Sequence, residues 1–243
     1  MVTGIGVYEI QKASRPQSPQ VSPSQPSGFT QPALPNQQVF KSPKKGQKHK
    51  AVPPMPQVLG RKYVLLSSNI PGTVSNWTRA AQQGVTQVRW LTPQPLAITA
   101  QPTTPPSGVT FYSNQVFTHD VQATFTFLHR GFGRTSVGLW SVATNNWAAS
   151  ADLDTGDTNF LSFSGGGRGT EWKHPGSPYM NRWTTIQVRV VGSTVHFSAN
   201  NVLLEIIPLI IRGGYRAVLS VGSVSWNSGA NDTPFRSISA QGN

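Results

Sequence analysis

The sequence predicts an all-β protein: an antiparallel, jelly-roll-type β-sandwich preceded by a disordered basic N-terminal arm. Three observations carry that expectation. From Gly108 onward, apolar and polar residues alternate with period two in segment after segment, with almost no helical periodicity. Turn signals punctuate those segments, giving about eight strands. The chain's basicity, by contrast, is concentrated at its front. Residues 1–62 hold nine Lys and Arg against one acid, Glu9, while residues 63–243 hold eleven against seven, and no acid lies between Glu9 and Asp120.

Taken in order, residues 1–60 read as a disordered Pro/Lys-rich arm. Ten of the 20 prolines fall there, in runs such as "RPQSPQVSPSQPS", and few large apolar residues accompany them. Residues 61–107 read as a linker. "KYVLLS" looks like a short strand, "SNWTRAAQQG" like one or two helical turns capped at Ser75 or Asn76 and stopped at Gly84, and "TPQPLAITAQPTTPPSG" like an extended connector. Residues 108–243 read as the sandwich. "VQATFTFL" puts Val121, Ala123, Phe125 and Phe127 on one face, and "TSVGLWSVA" follows as a strand. "RWTTIQVRVV" points Ile186, Val188 and Val190 inward. A two-residue turn at Gly192-Ser193 leads into "TVHFSA", and Asn200-Asn201 turns again into "VLLEII". "RAVLSVGSVSW" and "FRSISA" close the chain. Seven Trp and eleven Phe are available to fill the core.

Composition excludes several chemistries. With no cysteine there is no disulfide scaffold, thiol catalysis or Cys-based zinc site. "VLLEIIPLII" is too short to span a bilayer and is interrupted by Glu205 and Pro208, so no membrane partner is expected. The first residues lack the features of a secretion signal, and the glycosylation patterns at Asn76-Trp77-Thr78 and Asn231-Asp232-Thr233 read as chance. No catalytic set stands out either. Glu171 and Glu205 are isolated, His119, His129, His174 and His196 are scattered, and no nucleophile-elbow motif occurs, so an enzyme is not expected.

Two clusters remain. Lys41, Lys44, Lys45, Lys48 and Lys50, followed by Arg61 and Lys62, lie on a flexible background unsuited to a shaped pocket. Such lysines neutralise phosphates without reading sequence, so polyanion binding is expected of them. "ADLDTGDTN" crowds Asp152, Asp154 and Asp157 into a D-x-D-x-x-D pattern read as a loop. Carboxylates this close repel unless a cation or an arginine answers them, and hard oxygen ligands around a glycine suit calcium.

Basic arm, linker, and sandwich with an Asp motif follow the order seen in coat proteins of small positive-strand RNA plant viruses, and the layout resembles the tombusvirus-like group. That resemblance implies a capsid protein that self-assembles into a homo-oligomeric shell. It would package genomic single-stranded RNA through the arm, with Lys41, Lys44, Lys45, Lys48, Lys50, Arg61 and Lys62 as the RNA-binding residues, and bind calcium at Asp152, Asp154 and Asp157. It implies location in the virion, and in the host cytoplasm during assembly. A second resemblance covers roughly the last 65 residues: "RWTTIQVRVVGSTVHFSANNVLL", "YRAVLSVG" and "FRSISA" look like the closing strands of concanavalin- and laminin-G-like sandwiches. It implies a lectin-like glycan-binding domain. A nucleic-acid-binding protein that does not assemble is the third alternative. The basic arm favours the coat-protein expectation, because a glycan-binding domain has no evident use for it.

Overall fold

A computed structural model of the chain describes residues 60–67, 73–90, 96–103, 107–155, 159–166, 172–223 and 229–243. Structural statements below concern these residues, and the arm lies outside them. The strands run in chain order as β1 (Arg61–Ser67), β2 (Trp77–Gln83), β3 (Thr86–Arg89), β4 (Leu96–Ala100), β5 (Gly108–Ser113), β6 (Val121–Leu128), β7 (Arg130–Gly131), β8 (Gly133–Ser141), β9 (Asn146–Thr155), β10 (Phe160–Ser164), β11 (Trp172–Pro175), β12 (Trp183–Val191), β13 (Thr194–Ala199), β14 (Val202–Pro208), β15 (Tyr215–Gly222) and β16 (Asn231–Gly242). Single 3₁₀ turns occur at Thr73–Asn76 and Ser177–Tyr179.

The strands form two antiparallel sheets. One has the order β14-β13-β12-β6-β16-β4-β3, with β1 and β7 also paired to β16. The other has the order β11-β10-β9-β8-β15-β5-β2. Together they make an antiparallel β-sandwich, as the alternation predicts. The inward positions of β6, β12 and β13 (Phe125, Ile186, Val188, Phe197) are 0–1 % exposed, as are Val137, Leu139, Ala151, Leu153 and Leu219 from the second sheet. Rings cross the gap between the sheets: Phe163 of β10 lies 4.8 Å from Phe197 of β13. Each such side chain removed from water contributes about 1.5–3 kcal/mol.

Local turn chemistry follows the sequence. Gly192 takes φ 57° in the β12–β13 turn, and Asn200 and Asn201 take φ 50° and 67° before β14. All three lie in the left-handed region that glycine and asparagine tolerate best. "VLLEIIP" is edge strand β14, whose Val202 and Ile206 remain exposed.

Three segments differ from their sequence reading. After one 3₁₀ turn, "WTRAAQQ" is strand β2, paired along β5, because Trp77 must reach the core. "LAITA", read as connector, is β4, paired to both β16 and β3 and fully packed, with Leu96, Ile98 and Ala100 at 0 % exposure. "ADLDT" is not loop but the second half of β9, which pairs with β8 on one side and β10 on the other.

Candidate functional site

The outer face of the seven-stranded sheet holds the most developed site among the described residues. β8 and β9 are joined by a tight turn in which Asn145 takes φ 49°. A bulge after Leu139 shifts the register, so that Trp140 stands directly opposite Trp147. Their rings meet edge to face at 6.2 Å. Across β15, Tyr112 of β5 stacks on Trp140 at 6.3 Å with 26° between the planes. The guanidinium of Arg216, which pairs with Trp140 in the β15–β8 register, lies 4.8 Å from the Tyr112 ring. Val218 of β15 faces outward between these strands and is 0 % exposed, yet it stands apart from the cluster that fills the space between the sheets. The outer face therefore has an apolar floor of its own.

These rings help line a depression of about 460 Å³, together with Arg79, Ala80, Ala81, Thr110, Asn145 and Asn146. That volume falls in the range of small-molecule sites. A second depression, of about 500 Å³, continues from Ala81 and Thr110 past Gly108, Gln83 and Ser220. The two asparagines have fixed orientations. Trp140 Nε1–H donates to Asn145 Oδ1 at 3.2 Å, and the Trp147 backbone N–H donates to Asn146 Oδ1 at 2.8 Å. Both donors lack an acceptor function, so each amide must turn its oxygen inward and present its NH₂ elsewhere.

Further along β9 on the same face lies a polar patch. Asp152 accepts from Ser150 Oγ at 2.9 Å, and Asp154 pairs with Arg134 of β8 through Nε at 3.0 Å and Nη2 at 2.9 Å. Arg134 thus supplies the cation that crowding demands at Asp154. The third member of the calcium set, Asp157, lies outside the described residues. Among those described, no group of three acids or histidines is placed to hold a metal.

The other residues singled out by sequence are dispersed. Lys41, Lys44, Lys45, Lys48 and Lys50 lie outside the described residues. Arg61 and Lys62 open β1, exposed, opposite Gly242 and Gln241 of β16. Glu205, isolated in sequence, meets His174 at 2.7 Å, tying edge strand β14 to edge strand β11. His196 faces outward on β13, as its alternation requires; burial and then the nearby Arg189 lower its pKa. Asn231 is unfit to carry a glycan. It is fully buried, its Nδ2 donates to Arg134 O and Gly222 O at 3.0 and 2.8 Å, and Thr233 Oγ1 donates to its Oδ1. Sequence reasoning missed Tyr112, Trp140 and Trp147 as a site. Their one sequence signal is that aromatics occupy outward positions of strands whose other outward residues are small or polar.

No protein-family model matches the chain, and no curated sequence matches it. Solved structures share its fold. A native glycosidic hydrolase superposes with TM-score 0.55 at 14 % identity, covering 77 % of this chain and 99 % of its own. The carbohydrate recognition domain of Emp47p gives 0.53 at 13 %, covering 73 % and 94 %. The carbohydrate-binding module CBM66 from Bacillus subtilis gives 0.50 at 12 %, covering 68 % and 95 %.

These likenesses correct the resemblance to viral coat proteins: the fold is that of carbohydrate-binding and glycosidase sandwiches, and the capsid and virion reading falls with it, including the expected location in the virion and host cytoplasm. The physical reason is plain. The arm's charge had decided between two resemblances, but charge at one end of a chain carries no information about which strands pair. The concanavalin- and laminin-G-like resemblance of the closing strands agrees with the β12-β13-β14 meander. Because a hydrolase and binding domains share this fold, the fold alone does not decide between catalysis and binding.

Proposed function

We propose that the chain is a lectin-like oligosaccharide-binding protein whose ligand sits on Trp140, Trp147 and Tyr112. The observation that carries this is the aromatic pocket with its two oriented asparagines. A pyranose has an apolar C–H face and an equatorial rim of hydroxyls. The half-buried indole and phenol rings suit the face, and the amide NH₂ groups and the Thr110 hydroxyl suit the rim. The sheet holds these side chains on paired strands, so little ordering cost attends binding. Solved structures of the same fold include a carbohydrate recognition domain and a carbohydrate-binding module, which supports the class of ligand.

The test is a glycan array followed by calorimetry on the best ligands. Trp140→Ala is expected to weaken binding at least about tenfold, since it removes a stacking surface worth around a kcal/mol beyond its buried area. Unchanged affinity in Trp140→Ala would sink this placement.

One observation favours a second reading. Asp152 and Asp154 stand two apart on one strand face, and glycoside hydrolysis uses two carboxyls flanking one bond. Binding is the better supported reading, because Asp154 is engaged by Arg134 in an ion pair and the aromatic pocket has no carboxylate in its lining. Release of new reducing ends from a bound oligosaccharide, lost in Asp152→Asn, would establish hydrolysis instead.

A further inference from the structure

The chemistry of the same pocket specifies its ligand more narrowly, and this inference rests on the glycan-binding reading. Its cationic and amide groups offer donors, while the Thr110 hydroxyl donates to Ser220 Oγ at 2.9 Å. Asn145 and Asn146 have their oxygens committed to Trp140 Nε1–H and the Trp147 backbone N–H, which leaves their NH₂ groups as what they can offer. Arg79 lines the pocket, and Arg216 lies against the face of Tyr112. Among the described residues, no carboxylate pairs with either arginine. Arg79 Nη1 donates to Gln82 Oε1, a neutral partner that leaves its charge uncompensated. No acid lines the pocket.

Elsewhere on the same face two cations accompany two acids: Arg134 pairs with Asp154, and Lys173 of β11 shares the register row of Ser162 and Asp152. The positive potential is therefore local to the aromatic end. A neutral sugar's hydroxyls can accept from the amide groups but bring no charge to an arginine that lacks a carboxylate. An oxyanion accepts from the amides and also supplies that charge.

We infer that this pocket takes an acidic sugar, one carrying a carboxylate or sulfate, at Arg79 and the two asparagine amides, with Arg216 adding positive charge beside it against Tyr112. The adjoining depression indicates what flanks it. Thr110, Ser220, Gly108 and Gln83 offer hydroxyls, an amide and bare backbone but no cation, so neutral sugar units suit that half. Single-stranded nucleic acid is disfavoured by the same contrast, because a phosphate backbone needs positive charge along its whole track.

The experiment uses the full chain at physiological salt with four probes. They are a galacturonate tetrasaccharide, its carboxyl-reduced form, a sulfated galactan tetrasaccharide and an oligouridylate. The wild type is expected to bind an acidic tetrasaccharide at least about tenfold more tightly than the carboxyl-reduced one, the scale of one charge-assisted contact. The Arg79→Gln/Arg216→Gln variant should lose that preference while still binding the reduced form, with its fold checked by circular dichroism. Whichever of the galacturonate and the sulfated galactan binds more tightly identifies the anion. Equal affinity for acidic and reduced forms, with both lost in Trp140→Ala, overturns the acidic-sugar inference and leaves the glycan reading standing. Trp140-dependent binding of oligouridylate with no sugar bound overturns both. Anion binding insensitive to Trp140 and to the two arginines belongs to the basic N-terminal lysines and counts against the pocket.

Discussion

His129 shows how one buried polar side chain sets an acid limit. It is 1 % exposed, and its ring nitrogens lie 2.7 Å from Thr135 Oγ1 and 3.0 Å from Thr155 Oγ1. Thr135 continues to Thr233 at 2.8 Å, and Thr155 Oγ1 donates to Gly131 O, so the network links β8 and β9 in one sheet to β16 in the other. Burial lowers the pKa of His129 from its ordinary 6.5 to about 4. Between those values the unfolded chain binds the proton and the folded chain does not, so folding is fully favoured above pH 6.5 and loses stability as pH falls toward 4. The shift corresponds to roughly 3 kcal/mol. Urea midpoints at pH 7 and pH 4.5 should differ more in the wild type than in His129→Gln. An equal pH dependence in the two would show that His129 does not set the acid limit. In sequence this residue is one of several scattered histidines, because nothing local marks a side chain whose two partners, Thr135 and Thr155, are brought to it by β8 and β9.

At the scale of elements, β4 separates what alternation reveals from what it hides. "LAITA" is short, lies between proline-rich segments and has no period-two contrast, since four of its five residues are buried. A strand buried on both faces reads as a plain apolar run, which is why it passed for a connector. Ile98 lies opposite Thr233 of β16 and Val88 of β3 and is fully buried. Ile98→Ala should therefore cost about 2–5 kcal/mol, read as a shift of the denaturant midpoint. A cost below about 0.5 kcal/mol, the level of ordinary surface changes, would instead fit the connector reading. β9 makes the complementary case. Its Asp-rich second half imitates a turn by composition, yet pairing to β8 and β10 holds it extended and turns Asp152 and Asp154 to the outer face.

At the scale of the whole molecule, two features of different origin share one chain. The sandwich shares its fold with the Emp47p carbohydrate recognition domain, while half of the net charge of +12 lies in residues 1–60, ahead of β1. RNA binding through Lys41, Lys44, Lys45, Lys48 and Lys50 remains a proposal grounded in sequence, independent of the pocket. Filter binding of an oligouridylate to the full chain should weaken steeply with salt, with a log–log slope of about −0.7 per phosphate neutralised. Replacing the five lysines by Gln should flatten that slope and leave sugar binding intact. A slope unchanged by the replacement would remove them from any role with polyanions.

Sequence alone determined the class of fold and several strands almost to the residue. Val121–Leu128 is read directly from its alternation, and the β12–β13 hairpin from the glycine at its turn. Both are local signals, set by side-chain period and backbone dihedral within a few residues. Tertiary structure alone decided strand order, the strand character of β2, β4 and β9, the meeting of His174 with Glu205, and the assembly of Tyr112, Trp140, Trp147 and Arg216 into one surface. Those depend on which strands become neighbours. Pairings such as β15 with β5, linking Val218 to Tyr112, join residues far apart in the chain. What selects them is the summed burial of both sheets, a quantity no short window of sequence contains.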